Sequence, residues 1–402
     1  MSMQKKNKPA SKALLALTGS ALSLPGISGK AAAADPVTET SIDYQYSNYR
    51  EEDLPSSKHA GGDVERYEID THQLRVVRPW GDSYDVTVDL MYETMSGASP
   101  WFIMPGANGE PLQVMSGATI EDDRSDILAK VRKLYDNSAA SLSLGYSDED
   151  DYRAINVGIE GEWDLGSKQR TFTVGLGYSD DELEPTDGGT TLYPNRVTSA
   201  EKDSLSVYAG FTQVLNARTT VQSTLSFTRH DGFLSDPYKE AFVAGNRVQD
   251  NRPDGRDAIA WLTRLRHFVP SARGALHVDY RYFDDDWEIE SHTLELGWHQ
   301  NLPADWQLSP SVRYYSQSQA FFYAPYYNSA RSDGFASSDY RLSPYGALSY
   351  RLRATKKIGT WAFHLGWERY TSEADLAIKS VRVENPGLVE FNAITFGISR
   401  HF

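Results

Sequence analysis

Strict alternation of apolar and polar residues, an export-type N-terminus and a chain end on an aromatic residue together predict an all-β fold. The expected architecture is a transmembrane antiparallel up-and-down β-barrel of about sixteen strands, with short periplasmic turns and long outer loops. No apolar run after the N-terminal segment approaches the ~20 residues of a membrane helix. The alternating segments are therefore the only candidates for crossing a bilayer.

The chain begins with a basic stretch, Lys5, Lys6, Lys8 and Lys12. An apolar run follows from Ala13, and a small-residue run closes at Ala34 before Asp35. This pattern predicts a secretory signal over 1–34 and one mature domain over 35–402. Removing the five lysines of that segment takes the formal charge from −15 to −20. So acidic a chain has no electrostatic reason to bind nucleic acid. Cysteine is absent, which excludes disulfides and thiolate metal sites. An exported chain of this length must then be held by a large core or a closed sheet.

The strands expected in order are 40–50, 64–77, 84–96, 123–135, 138–147, 152–163, 169–180, 202–215, 219–229, 257–269, 274–283, 287–300, 306–318, 338–353, 359–371 and 388–402. In "SYDVTVDLMYE", Tyr84, Val86, Val88, Leu90 and Tyr92 share one face; Asp85, Thr87, Asp89, Met91 and Glu93 share the other. Phe172, Val174, Leu176 and Tyr178 repeat the pattern, as do Leu205, Val207, Ala209 and Phe211, and then Trp361, Phe363, Leu365 and Trp367. Tyrosine and tryptophan gather at segment ends, as in the girdles of membrane barrels. The last strand carries Ile394, Phe396, Ile398 and Phe402 on one parity. The weaker strands are 40–50, 64–77, where the parity changes midway, and the two that contain Pro310 and Pro344 and so lack one ladder donor each. Short links alternate with long ones, and the acid runs at 51–53, 121–123, 148–151, 180–182 and 284–286 all fall on the long-loop side.

One long loop is unlike the rest. "MSGASPWFIMPGANGEPLQVMSGAT" repeats Met-Ser-Gly-Ala at 95–98 and 115–118, and Met91, Met95, Met104 and Met115 are the only methionines beyond the N-terminus. The stretch is too apolar for a solvated loop. It is expected to fold into the mouth or to contact a partner through Met95, Trp101, Phe102, Met104 and Met115. Thioethers are soft ligands suited to Cu(I), but methionine is also adaptable apolar filler, and the filler role is the expectation here.

Charge on the inward parity is the other constellation. Asp85, Asp89 and Glu93 must face inward, because charge against lipid is costly. Lys130 and Arg132 follow on the next strand. Arg264, Arg266, Arg281, Arg313, Arg341 and Arg351, with His277, Asp279, His364 and Glu368, read as inward farther round. Such a lumen either conducts polar solutes or pairs its charges across the interior.

The segments "YETMSGASPW" and "SGATIEDDRSD" resemble a hallmark of an uncharacterised outer-membrane family, domain of unknown function 3570. The resemblance extends over nearly all the mature chain. It implies a barrel in the bacterial outer membrane and, through genes neighbouring that family, a link to periplasmic redox and flavin-attachment proteins. It supplies no catalytic residue.

No HExxH spacing, nucleophile elbow or EF-hand loop occurs, so neither enzyme activity, metal nor cofactor is expected. The acid runs could hold Ca²⁺ or Mg²⁺ that bridge lipopolysaccharide phosphates, or form a solvated rim. Expected partners are outer-membrane lipid and lipopolysaccharide, the barrel assembly machinery through the Phe402 end, and a periplasmic or lipoprotein component. Two functions remain open: a porin-like channel or ligand-selective transporter with a charged lumen, and a non-conducting anchor for a redox partner.

Overall fold

The computed structural model describes residues 36–116, 120–166 and 168–402. The expected signal segment lies outside the described residues, as do Gly117 and Ala118 of the second Met-Ser-Gly-Ala phrase.

Sixteen strands close into one antiparallel barrel. They are β1 (Ser41–Glu51), β2 (Glu68–Trp80), β3 (Tyr84–Gly97), β4 (Ile120–Leu134), β5 (Ser138–Glu149), β6 (Tyr152–Leu165), β7 (Arg170–Leu183), β8 (Ala200–Asn216), β9 (Thr219–Gly232), β10 (Gly255–Val269), β11 (Gly274–Asp285), β12 (Glu290–Leu302), β13 (Trp306–Gln317), β14 (Tyr345–Ile358), β15 (Trp361–Glu373) and β16 (Phe391–His401). Each pairs with its sequence neighbour. β1 closes the ring against β16, from Ser41 opposite His401 to Glu51 opposite Phe391. Closure leaves no strand edge, which is the condition for crossing lipid in strands.

Burial is inverted relative to a water-soluble sheet. Leu142, Leu144, Ile155, Ile159, Leu205, Phe227, Ile259, Leu296, Leu352, Leu365 and Ile394 are exposed on the outer wall, whereas Gln45, Ser47, Thr71, Asp85, Glu93 and Ser349 are buried on the inner wall. An apolar belt facing outward around a polar interior is the architecture of a bacterial outer-membrane barrel. Aromatic residues edge the belt. Tyr92, Tyr146, Tyr178 and Trp261 stand toward the long loops; Trp80, Tyr84, Tyr135, Trp163, Trp306 and Trp361 stand toward the short turns. Cations anchor the second girdle. Lys133 lies over the Tyr84 and Tyr135 rings, Lys356 over Trp306, and Arg400 over Trp361 and Phe402, at 4.3–5.5 Å from the centroids. An aromatic ring at the interface with a cation reaching past it to the headgroups suits both halves of each pair.

The two largest shifts of a strand start from expectation, at 64 and 338, have physical reasons. Residues 64–67 lie in a loop, and the parity change expected within 64–77 persists in β2: Ile69 turns inward to pack with Tyr67 and Met95 under the cap, whereas Leu74 and Val76 face outward in an unbroken register. The strand expected from 338 begins only at Tyr345. Asp339 instead accepts a hydrogen bond from the Arg341 backbone N–H and caps a 3-10 turn, Tyr340–Leu342. Pro344 then separates that turn from the strand, because it has no N–H for the ladder. Arg341 is thereby moved off the barrel wall into a loop. Pro310 stays within β13, opposite Leu352.

The apolar core sits in the mouth. Most of the largest fully buried side chains, Phe322, Ile103, Met115 and Asn385 among them, belong to loops on the long-loop side.

Candidate functional site: a capped, charge-divided lumen

Loop 98–116 folds back as a hairpin, Pro100–Pro105 against Pro111–Met115, and loop 52–67 adds the strand His59–Gly61 in parallel to its second arm. Gly97 permits the turn into this hairpin. Its φ is 126°, and a Cβ there would meet the Arg66 carbonyl oxygen at 2.3 Å. Only glycine fits that approach. A second hairpin, Glu240–Val243 with Asn246–Gln249, stands beside the first. Lys239 donates from Nζ to the Pro100 carbonyl oxygen at 2.9 Å, and the Arg247 guanidinium lies 4.0 Å from the Trp101 ring centroid.

Loop 318–344 fills the centre. Phe322 is fully buried among Trp287, Ile289, Ala320, Tyr323 and Leu342. Burying a large apolar side chain contributes ~1.5–3 kcal/mol, so this core offsets much of the entropy of ordering the loops. Loop 374–390 locks onto it through Asn385, whose amide donates to the Tyr323 hydroxyl at 2.9 Å and the Ser338 carbonyl at 3.1 Å. Tyr326 donates to the Gly109 carbonyl at 2.5 Å. Arg66 pairs with Glu51 at 2.6 Å and donates to the Gly387 carbonyl. The loops thus form one packed cap across the mouth.

A buried ion cluster lies inside that cap. Arg252 bridges Asp250 at 2.7 Å and Asp339 at 2.9 Å. Arg341 pairs with Asp339, at 2.8 Å from Nε, and with Asp236 at 2.9 Å. Burial works against ionised Asp339, but the charges of Arg341, Lys239 and Arg252 prevail and hold its carboxyl well below the usual range. Burial pushes Asp250 up despite its Arg252 partner. Burial also pulls Lys239 down, against the opposing charges of Asp339 and Asp236.

The inner wall divides by charge. On β10–β15, Arg264, Arg266, Arg281, Arg313, Arg351 and Arg353 face three carboxylates, Asp279, Glu295 and Glu368. Inward placement follows from register: Arg264 lies opposite Asp279, Asp279 opposite Glu295, and Glu295 opposite Arg313. Arg266 binds Asp279 through both amino groups. Arg351 reaches Glu368 at 2.8 Å and Glu295 at 3.3 Å. The His277 and His299 rings lie 3.9 Å apart in the same sector, and His364 sits over Gly397, where a Cβ would collide with its ring.

The opposite sector is rich in acid. Arg132 pairs with Asp85 at 2.7 Å, Arg75 with Asp89 at 2.5 Å and Lys130 with Glu160 at 2.8 Å. Thr71 donates to Glu93 at 3.1 Å. Each expected inward residue except Arg341 therefore stands on the inner wall. Arg353 was missed, although it follows Arg351 on the same parity. Arg75, Glu160 and Glu295 were legible by the same rule. The cap cluster carried no signal, because its members come from separate loops.

The methionines do not converge. Met95 packs with Tyr67 and Ile69, while Met115 packs with Leu54 and Ala98. Both are buried, as is Phe102; Trp101 and Met104 are half-buried. Their neighbours are other parts of this chain, so Met95 and Met115 pack as apolar filler within the cap.

The sequence matches the family model described as protein of unknown function (DUF3570) over residues 14–388. The chain belongs to that family. No curated protein matches this DUF3570 chain. Among solved structures, it is similar to a bacterial polysaccharide outer membrane secretin, with 10% identity and a TM-score of 0.47, over 92% of this chain and 100% of that one. The siderophore receptor PirA from Pseudomonas aeruginosa gives 9% and 0.43, over 84% of this chain and 56% of the receptor. The outer membrane protein opdK from Pseudomonas aeruginosa gives 9% and 0.40, over 90% and 98%. The DUF3570 chain thus spans little more than half of the siderophore receptor. At these identities and scores, nothing about function follows from the likeness.

Proposed function

We propose that this barrel is a gated outer-membrane channel, or ligand-selective transporter, for polar charged solutes. The observation that carries this reading is the inner wall. Charged side chains line it on strand after strand and separate into an Arg-rich and an acid-rich sector. A wall built only to be filled would be apolar or fully paired, and a sixteen-stranded barrel is wide enough for an aqueous path. The cap decides access, because it spans the mouth with its own core. No step of catalysis is assigned to any residue.

Single-channel recording in planar bilayers tests this. The full-length protein should give rare or small openings. Deleting 100–114, which removes the hairpin and the carbonyl that Lys239 binds, should give larger and more frequent ohmic steps. Silence from both proteins, each shown to be folded, would overturn the channel and favour the second reading, a non-conducting anchor for a periplasmic or lipoprotein redox partner. The packed cap is the one feature that favours that alternative.

A further inference from the structure

Among the described residues, three guanidiniums on the inner wall are left out of the ion pairs. Arg281, Arg313 and Arg353 make no ion pair or hydrogen bond among the described residues, since Arg264 and Arg266 occupy Asp279 while Arg351 occupies Glu295 and Glu368. Two of them share one patch. Arg281 lies opposite Thr293, which lies opposite Tyr315; Arg313 is two residues from Tyr315 on the same face. The patch is aromatic on its outer side. Arg281 stands 5.0 Å from the Phe283 ring centroid, and the Tyr315 ring is 5.6 Å from that of Tyr345. All of these side chains are half-buried, so they line the interior without being sealed into it.

We propose that Arg281, Arg313 and Tyr315 form an anion-binding site for organic carboxylates that carry a flat ring. Two guanidiniums outside the ion pairs among the described residues supply forked donors that match a carboxylate. The adjoining Tyr315 and Tyr345 rings, with Phe283 beyond Arg281, make the ground beside these donors apolar and aromatic. A small inorganic anion would engage the guanidiniums and leave those rings unused. The site deepens the channel reading and rests on the lumen being reached by solute.

The test is calorimetric titration of benzoate into the full-length protein folded in detergent, with acetate and inorganic phosphate as comparison probes. Saturable benzoate binding is expected, tighter than acetate or phosphate. Combining Arg281→Gln with Arg313→Gln should weaken it at least ~10-fold, since charge-assisted hydrogen bonds are lost. Neither arginine is part of an ion pair, and Arg281 gives up only its place beside the Phe283 ring, so the variant should fold, and an unchanged melting temperature checks this. Arg229→Gln on the outer wall should bind like the parent. Absence of saturable benzoate binding, or equal binding by the double variant, overturns the site. Phosphate binding as tight as benzoate overturns the assignment to ring-bearing carboxylates. Binding without conductance would keep the site and remove the channel; conductance without binding would do the reverse.

Discussion

Lys239 reaches across the barrel mouth and places its ammonium 2.9 Å from the carbonyl oxygen of Pro100, joining loop 233–254 to the hairpin of loop 98–116. The lysine is buried, so the bond forms away from competing water. Lys239→Met keeps most of the stem but leaves that carbonyl only the longer bond from the Ser99 hydroxyl, at 3.3 Å. Losing a hydrogen bond from a charged donor costs ~1.5–3 kcal/mol. The hairpin should open more often, read as faster proteinase K cleavage within 98–116 on intact cells. Cleavage rates equal to the parent's would show that the bond does not hold the cap.

The acid response of the cap follows from Asp339. Its folded carboxyl lies well below the usual value, so it binds protons less readily folded than unfolded. Its contribution is therefore complete above the ordinary carboxylate range, declines as pH falls below that range, where the unfolded carboxyl takes up its proton first, and is gone below the depressed folded value. Protease protection of the cap should be the same at pH 7 and pH 4.5. Asp339→Asn leaves Arg252 and Arg341 short of a partner in a buried site, a change that costs ~3–5 kcal/mol. Cap protection should then be reduced already at neutral pH. A parent cap that opens between pH 7 and 4.5 would assign control to another group.

Gly97 gives a backbone test. Its φ of 126° and the 2.3 Å approach to the Arg66 carbonyl oxygen admit no side chain. Gly97→Ala should cost ~1–3 kcal/mol from the strained backbone alone, and the clash adds to it. The barrel itself should survive, because its ladder is made elsewhere. Heat-modifiable migration on gels should stay near the parent's while hydrogen exchange rises in loops 52–67 and 98–116. Exchange confined to the strand ends would contradict the assignment.

The barrel was legible because a strand's side-chain period is two and lipid enforces it. Asp85, Asp89 and Glu93 could be placed from parity alone. The cap was only partly legible. The apolar run Trp101–Met104 announced a folded loop, yet its contacts with Tyr193, Arg247 and Tyr326 link residues far apart in sequence and obey no period. Arg341 shows how a local choice overrides parity. A capping Asp339 and a following Pro344 turned an expected strand into a 3-10 turn, and the arginine changed from wall to cap.

The divided wall makes a prediction about ion preference. Replacing Arg313 and Arg353 with glutamine removes two positive charges that have no carboxylate partner among the described residues. Replacing Arg266 instead removes a charge bound to Asp279, so the local field changes through the aspartate left behind. Both changes make the β10–β15 sector less positive, and selectivity in a narrow charged path follows the sign of its walls. In a salt gradient, both variants of a cap-deleted, conducting protein should shift the reversal potential toward cations. Arg229→Gln, on the lipid-facing side, should leave it in place. The pair Arg313 and Arg353 should act without loss of fold, whereas the Arg266 variant leaves Asp279 only the longer Arg264 contact, at 3.8 Å, and should also lower the melting temperature. An unchanged reversal potential in a folded, conducting Arg313 and Arg353 variant would place the ion path away from this sector.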